Sequence, residues 1–150
     1  MLLMAIDPGT THSAFVLLET ETNDIIDAGL MENDAIADMI DIGMYEHMAI
    51  EGFQSFGMPV GKEVFETAYF IGRLTEKALI HGIHTDLVFR SQVKLHHCNS
   101  ARAKDPNVRQ VMLDRFGKPG TKKSPGKTYG FKKDMWSALA IASYWSDTHK

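Results

Sequence analysis

The pattern of hydrophobic and polar positions divides the chain into short strand-like runs and longer helical ones. Runs at 2–7 and 13–20 flank a Pro-Gly turn, and a third run at 24–32 follows another polar turn. Because turn residues interrupt segments rich in aliphatic and β-branched side chains, these three runs predict an antiparallel meander. Two further strand patterns cover 47–52 and 85–90.

Helical spacing is present in four segments, at 33–44, 62–82, 106–116 and from 132 onward. In the second, six hydrophobic residues share the predicted buried face: Val64, Phe65, Ala68, Ile71, Leu74 and Ala78. The order β-β-β-α-β-α-β-α-α predicts a single α/β domain over residues 1–150, with a five-stranded mixed sheet and helices on its faces.

The composition, with 44% hydrophobic and 23% charged residues, is typical of a globular protein. The first residues lack the basic segment of a signal peptide, and no apolar run reaches the roughly 18–20 residues that span a bilayer. A single cysteine, Cys98, excludes an internal disulfide and fits a reducing compartment. We therefore expect a cytoplasmic protein that makes no membrane contact.

The net charge of −3 conceals an uneven distribution. Residues 1–61 contain 11 acidic and no basic residues, whereas 62–150 contain all 16 Lys and Arg and 8 acids. The densest basic stretch has no acid and comprises Arg115, Lys118, Lys122, Lys123, Lys127, Lys132 and Lys133. Its local field would attract an anionic partner whatever the net charge, although a solvated surface loop is the alternative.

Three acids stand at the ends of predicted elements. Asp7 and Glu51 each end a buried strand pattern, and Asp134 lies in the first turn of the last helix. If the two strands are parallel neighbours, both side chains project from the sheet edge where α/β proteins bind ligands. Three carboxylates together repel one another unless cations neutralise them, and oxygen ligands favour Mg²⁺ or Mn²⁺ over zinc.

Each acid also has an ordinary structural explanation. Asp7 could accept N–H bonds of its Asp-Pro-Gly-Thr turn, Glu51 could pair with a lysine, and Asp134 could interact with the helix dipole. The coincidence of the three favours the metal site. The contiguous His-His-Cys at 96–98 is too small a set for a zinc site by itself, and we interpret it as loop or core.

Four segments in chain order resemble the motifs of RuvC-type Holliday-junction resolvases of the RNase H-like superfamily: MAIDPGTTHSAFVLL, MAIEGF, SARAKDPNVRQVML and DMWSALAIA. The likeness covers nearly the whole chain and is greatest to phage-borne members, for which the cytoplasm would be that of the host. It implies an RNase H-like domain, a homodimer, and two-metal cleavage of four-way and other branched DNA.

By this resemblance, Asp7 and Glu51 match the acids of the first and fourth strands, and Asp134 matches the first acid of the helix motif. Ser137 stands where the family has a second acid, so either it holds a metal-bound water or Asp134 alone serves. We expect two Mg²⁺ ions, replaceable by Mn²⁺, roughly 3.5–4 Å apart, to activate water and stabilise the leaving 3′ oxygen.

DNA contacts follow from the same resemblance and from charge. The family has an aromatic residue shortly after the glutamate, for which Phe53 and Phe56 are candidates, with core packing as the alternative. We expect the basic loop to contact phosphates through Lys118, Lys122, Lys123, Lys127, Lys132 and Lys133, one of the last two neutralising charge on the reacting phosphate. A dimer surface is predicted on the helix that carries Phe65, Tyr69 and Phe70.

Three other functions compete with this hypothesis. The first motif also resembles the phosphate loop of sugar kinases, heat-shock chaperones and actin, but 150 residues leave no room for their second lobe, so we expect no nucleotide cofactor. The departure at Ser137 keeps open a catalytically weak module that binds branched DNA. An RNase H-like nuclease with another nucleic-acid substrate is the third.

Overall fold

The sheet of this protein has five strands in a mixed arrangement, in a computed structural model that describes residues 1–43, 45–54 and 56–150. The strands are β1 (Leu2–Asp7), β2 (His12–Glu19), β3 (Asp24–Glu32), β4 (His47–Gly52) and β5 (His84–Phe89), in the spatial order β3-β2-β1-β4-β5. The first three form the predicted antiparallel meander, and β4 runs parallel to both β1 and β5. The predicted α/β class and mixed sheet are confirmed.

The described residues form five helices, one more than the pattern predicts: α1 (Asn33–Ile42), α2 (Lys62–Ile80), α3 (Arg90–Cys98), α4 (Asp105–Phe116) and α5 (Met135–Thr148). The extra helix is α3, so the segment 96–98 is helical and the interpretation of it as loop is wrong. The prediction for α1 extends to Met44, which lies outside the described residues. The last helix begins three residues later than predicted.

Hydrophobic side chains alternate between the two faces of the sheet. Leu3 and Ala5 of β1 lie in the core with α4 and α5, whereas Met4 and Ile6 lie in the core with α1 and α2. This period of two is the ordinary geometry of a strand covered on both faces. It also determines the face on which the end of each strand places its side chain.

The sequence prediction for α2 is partly wrong. Ile71, Leu74 and Ala78 are buried as predicted, but Phe65 and Ala68 are exposed. The buried face is completed instead by other residues of the helix, Thr67 and Phe70 among them. No helix of the described residues is both long and apolar enough to cross a membrane.

Candidate functional site

Asp7 and Glu51 end neighbouring parallel strands on the same face of the sheet. The β1–β4 register pairs Ala5 with Ala49 and Ile6 with Ile50, so the two acids stand at the same level one residue further on. Ala5 and Ala49 both point into the core beneath α5. Because side chains alternate along a strand, the carboxyls of Asp7 and Glu51 project toward α5 as well.

Helix α5 brings Asp134 and Ser137 to this edge. Asp134 is the N-cap residue of α5, but its side chain makes no capping hydrogen bond. The preceding residue, Lys133, has a φ of 49°, an uncommon conformation for a residue with a side chain. Asp134 lines a cavity of about 470 Å³ together with Asp7 and Glu51. The predicted convergence of the three acids is therefore present.

The carboxyl of Asp7 is held largely in its protonated form. Burial raises its pKa to about 9, assisted by hydrogen bonding and charge from Glu51 and by the charge of Asp134, while a hydrogen bond with Ser137 lowers it. Its Oδ2 atom is buried and has no hydrogen-bond partner among the described residues. The turn does not supply one through Gly9, whose N–H donates to Ser13 Oγ at 3.1 Å.

The carboxylate oxygens of this site are suitable ligands for hard divalent cations. A bound cation would give the unpaired buried oxygen of Asp7 a partner and would replace the proton that offsets the repulsion between the carboxylates. The three carboxylates are not among the described sets whose ligand atoms all lie within 4.8 Å of one another.

Arg90, the first residue of α3, contacts the site and was missed by the sequence analysis. Its Nε donates to Glu51 Oε1 at 3.0 Å, so Glu51 pairs with this arginine rather than with a lysine. Burial lowers the pKa of Arg90, but the charges of Glu51 and Asp105 outweigh it and raise the pKa above its ordinary value. Its position directly after β5, at the edge that carries the acids, is a signal that could have been used.

The two aromatic candidates both line the cavity of the acids. Phe53 is half exposed and Phe56 is 81% exposed, so neither packs into the core. Phe56 also has a positive φ of 50°, which sets its backbone apart from an ordinary loop residue. The structure thus leaves two aromatic side chains available at the mouth of the site.

The predicted phosphate-contacting lysines are all exposed: Lys118, Lys122, Lys123, Lys127, Lys132 and Lys133. Lys127 pairs with Asp24 at 3.2 Å, a surface contact that contributes little to stability. Lys133 lines a second cavity, of about 330 Å³, which also borders Glu51 and Asp134. One basic residue of the loop therefore lies directly beside the acidic cluster.

Comparison with solved structures identifies the fold. The chain is similar to Thermus thermophilus RuvC over 96% of its own length and 92% of that chain, with a TM-score of 0.73 and 16% identity; a second structure of that RuvC holds a Holliday junction substrate. It is similar to the fowlpox virus resolvase in its complex with Holliday junction DNA (97% and 99% covered, TM-score 0.63, 10% identity).

The yeast mitochondrial Holliday junction resolvase is a further structural neighbour, with 96% of this chain and 78% of that chain covered, a TM-score of 0.58 and 11% identity. No protein-family model matches the chain, and no curated protein matches it in sequence. The chain thus has the fold of the RuvC-type resolvases, as the motif resemblance implied, at identities that establish the fold alone.

Proposed function

We propose that this chain is a metal-dependent endodeoxyribonuclease that nicks four-way and other branched DNA. The observation that carries the proposal is the buried, proton-holding carboxyl of Asp7 beside Glu51 and Asp134. Such a cluster is unfavourable in a protein without cations and is suited to binding them. The fold shared with resolvases solved on Holliday junction DNA supports the class of substrate.

In this proposal Asp7, Glu51 and Asp134 hold two Mg²⁺ ions, with Mn²⁺ as a substitute. Ions held by these carboxylates would supply the activation of a water molecule and the stabilisation of the leaving 3′ oxygen. Ser137 orients the carboxyl of Asp7 through its hydroxyl. Arg90 fixes Glu51 through Nε, which leaves guanidinium N–H groups for a phosphate oxygen at the cavity that it lines.

Cleavage of three substrates side by side tests the function. With Mg²⁺ we expect paired nicks in a synthetic four-way junction, weaker cleavage of a fork, little cleavage of linear duplex, and no cleavage with excess EDTA. Tight junction binding without nicking would replace the nuclease proposal with the DNA-binding module. Equal cleavage of linear duplex would contradict the selectivity for branched DNA.

The basic loop is the proposed phosphate contact. We expect Lys122→Ala or Lys123→Ala to weaken binding of junction and duplex alike and to reduce the slope of log K against log salt by about one. Fluorescence anisotropy over a range of salt concentrations measures this slope. The exposed Lys150, two residues beyond the C-terminal end of α5, provides a matched control whose substitution should leave the slope unchanged. An unchanged slope in the loop variants would remove the loop from the interface.

The outer face of α2 is the proposed dimer surface, because a homodimer matches the two-fold symmetry of a four-way junction. Phe65, Tyr69, Leu79 and Ile80 are exposed there, with Tyr69 at 74%, whereas Phe70 is buried and drops out of the predicted surface. We expect Tyr69→Lys to shift the protein from dimer to monomer in sedimentation velocity. A monomeric wild type, or an unaffected dimer, would contradict this assignment.

A further inference from the structure

A second group of polar side chains lies at the opposite end of β4 and β5. His47 and His84 are the first residues of these strands and stand side by side in the parallel register, and Asp86 follows two positions later on the same face. His47, His84 and Asp86 form a set whose ligand atoms all lie within 4.8 Å of one another. Along β4, the four-residue interval from His47 to Glu51 corresponds to about 13 Å, whereas Asp86 pairs with Ala49 and lies two positions from the level of Glu51.

Three imidazoles direct their Nε2 atoms at the carboxylate of Asp86. The Nε2 atom of His47 lies 2.9 Å from Oδ2, that of His84 lies 3.6 Å from Oδ1, and that of His149 lies 3.5 Å from Oδ2. The two longer distances exceed normal hydrogen bonds. Ligand atoms bound to one tetrahedral Zn²⁺ at about 2.0–2.2 Å are separated by roughly 3.3–3.6 Å.

His149 turns its Nε2 atom toward Asp86 because its other ring nitrogen is held by the backbone. Its Nδ1 lies 2.8 Å from the carbonyl oxygen of Trp145, which can only accept a hydrogen bond. Nε2 then points at Oδ2 of Asp86 from a distance of 3.5 Å, at which the two atoms fit as ligands of one cation. A histidine whose outer N–H is fixed by a backbone carbonyl is the usual form of a metal ligand.

A supporting contact fixes the carboxylate as well. The indole Nε1 of Trp145 donates to Asp86 Oδ2 at 2.8 Å, and the ring of Trp145 stacks on that of His149 with an interplanar angle of 10°. The orientation of Asp86 is thus held from α5. Hydrogen bonds to a ligating carboxylate from neighbouring side chains are typical of built metal sites.

We infer that His47, His84, Asp86 and His149 form a binding site for a transition-metal ion of the Zn²⁺ class. Imidazole nitrogens with one carboxylate suit such ions and are poor ligands for Mg²⁺. The site joins the C-terminal end of α5 to the first residues of β4 and β5. Because α5 and β4 carry Asp134 and Glu51 at their other ends, the ion would clamp the two elements that frame the acidic site.

A second histidine pair differs in a way that makes it a control. His96 and His97 lie near Asp147, but Arg115 already binds Asp147 through two hydrogen bonds of 2.6 and 2.7 Å. The guanidinium of Arg115 thus already neutralises the carboxylate that a cation would have to bind, which makes this group the weaker candidate.

Titration of the chelator-treated full chain with Co²⁺, in excess Mg²⁺ to occupy the acidic site, tests the inference. We expect one equivalent to bind with the visible absorption of tetrahedral nitrogen and oxygen ligands, and Zn²⁺ to displace it. His84→Ala and His149→Ala should each weaken binding by at least about tenfold, whereas His96→Ala should bind as the wild type does.

Both test positions tolerate substitution, since His84 is 71% exposed and His149 is also on the surface, so circular dichroism of the variants should match that of the wild type. The inference is overturned if the wild type binds no Co²⁺ with the tetrahedral spectrum. It is equally overturned if the two variants bind as tightly as the wild type, or if His96→Ala abolishes the spectrum.

Discussion

We expect Asp7→Asn to lower the rate of four-way junction nicking in Mg²⁺ by about 1000-fold or more, which corresponds to about 4 kcal/mol of lost transition-state stabilisation. The substitution removes one negative charge from a buried position where it would bind cations, while the shape of the side chain is kept. Single-turnover cleavage of a labelled junction measures the loss.

Binding distinguishes this effect from unfolding or poor docking. Junction affinity measured in Ca²⁺ should stay within about threefold of wild type, because the proposed DNA contacts come from the lysine loop and Arg90. Asp38→Asn, at an exposed position of α1, provides a matched loss of charge and should cleave normally. Activity of Asp7→Asn within about tenfold of wild type would falsify the metal-site proposal.

The acidic edge of the sheet could be predicted because its information is local. Asp7 and Glu51 each follow an aliphatic run of strand length, whereas the parallel pairing of β1 with β4 was a condition of the prediction and comes from the structure. Asp134 precedes a helix rich in small residues, which lets that helix pack closely on the sheet. Each of these signals lies within a few residues of the acid that it concerns.

Helix α3 could not be predicted by the same means. It is nine residues long and Val93 is its one buried side chain, so it offers few apolar positions from which a helix can be recognised. Its absence from the prediction also concealed Arg90, which the pattern placed at the end of a strand. The proposed metal site at His47 could not be predicted for a different reason. Its members come from two strands and the end of α5, and the first and last of them, His47 and His149, lie 102 positions apart in the sequence.

Helix α2 shows the limit of periodicity itself. Phe65 and Tyr69 lie on one side, Phe70 and Leu74 on another, and both sides have helical spacing. A pattern of this kind establishes that the helix has two apolar faces but does not determine which one meets the sheet. Only the tertiary packing assigns Phe70 to the core and leaves Phe65 and Tyr69 on the surface.

The same substitution at Asp7 should act in the opposite direction on stability when no divalent cation is present. In the folded chain the pKa of Asp7 is about 9, well above its ordinary value of 3.8. Between these values the unfolded chain releases a proton that the folded chain retains, so the free energy of unfolding falls as pH rises. Below the ordinary pKa the folded and unfolded chains both hold the proton, so Asp7 no longer lowers the free energy of unfolding.

Asp7→Asn removes this linkage, since an amide does not titrate and can donate to Glu51. With EDTA present, urea unfolding at pH 7 should show the variant more stable than wild type by about 2–4 kcal/mol, with the difference shrinking toward pH 4. Adding Mg²⁺ should stabilise the wild type and not the variant. A variant less stable at every pH would instead mean that the carboxylate of Asp7 stabilises its Asp-Pro-Gly-Thr turn. The proposal of a cation site would then lose its main support.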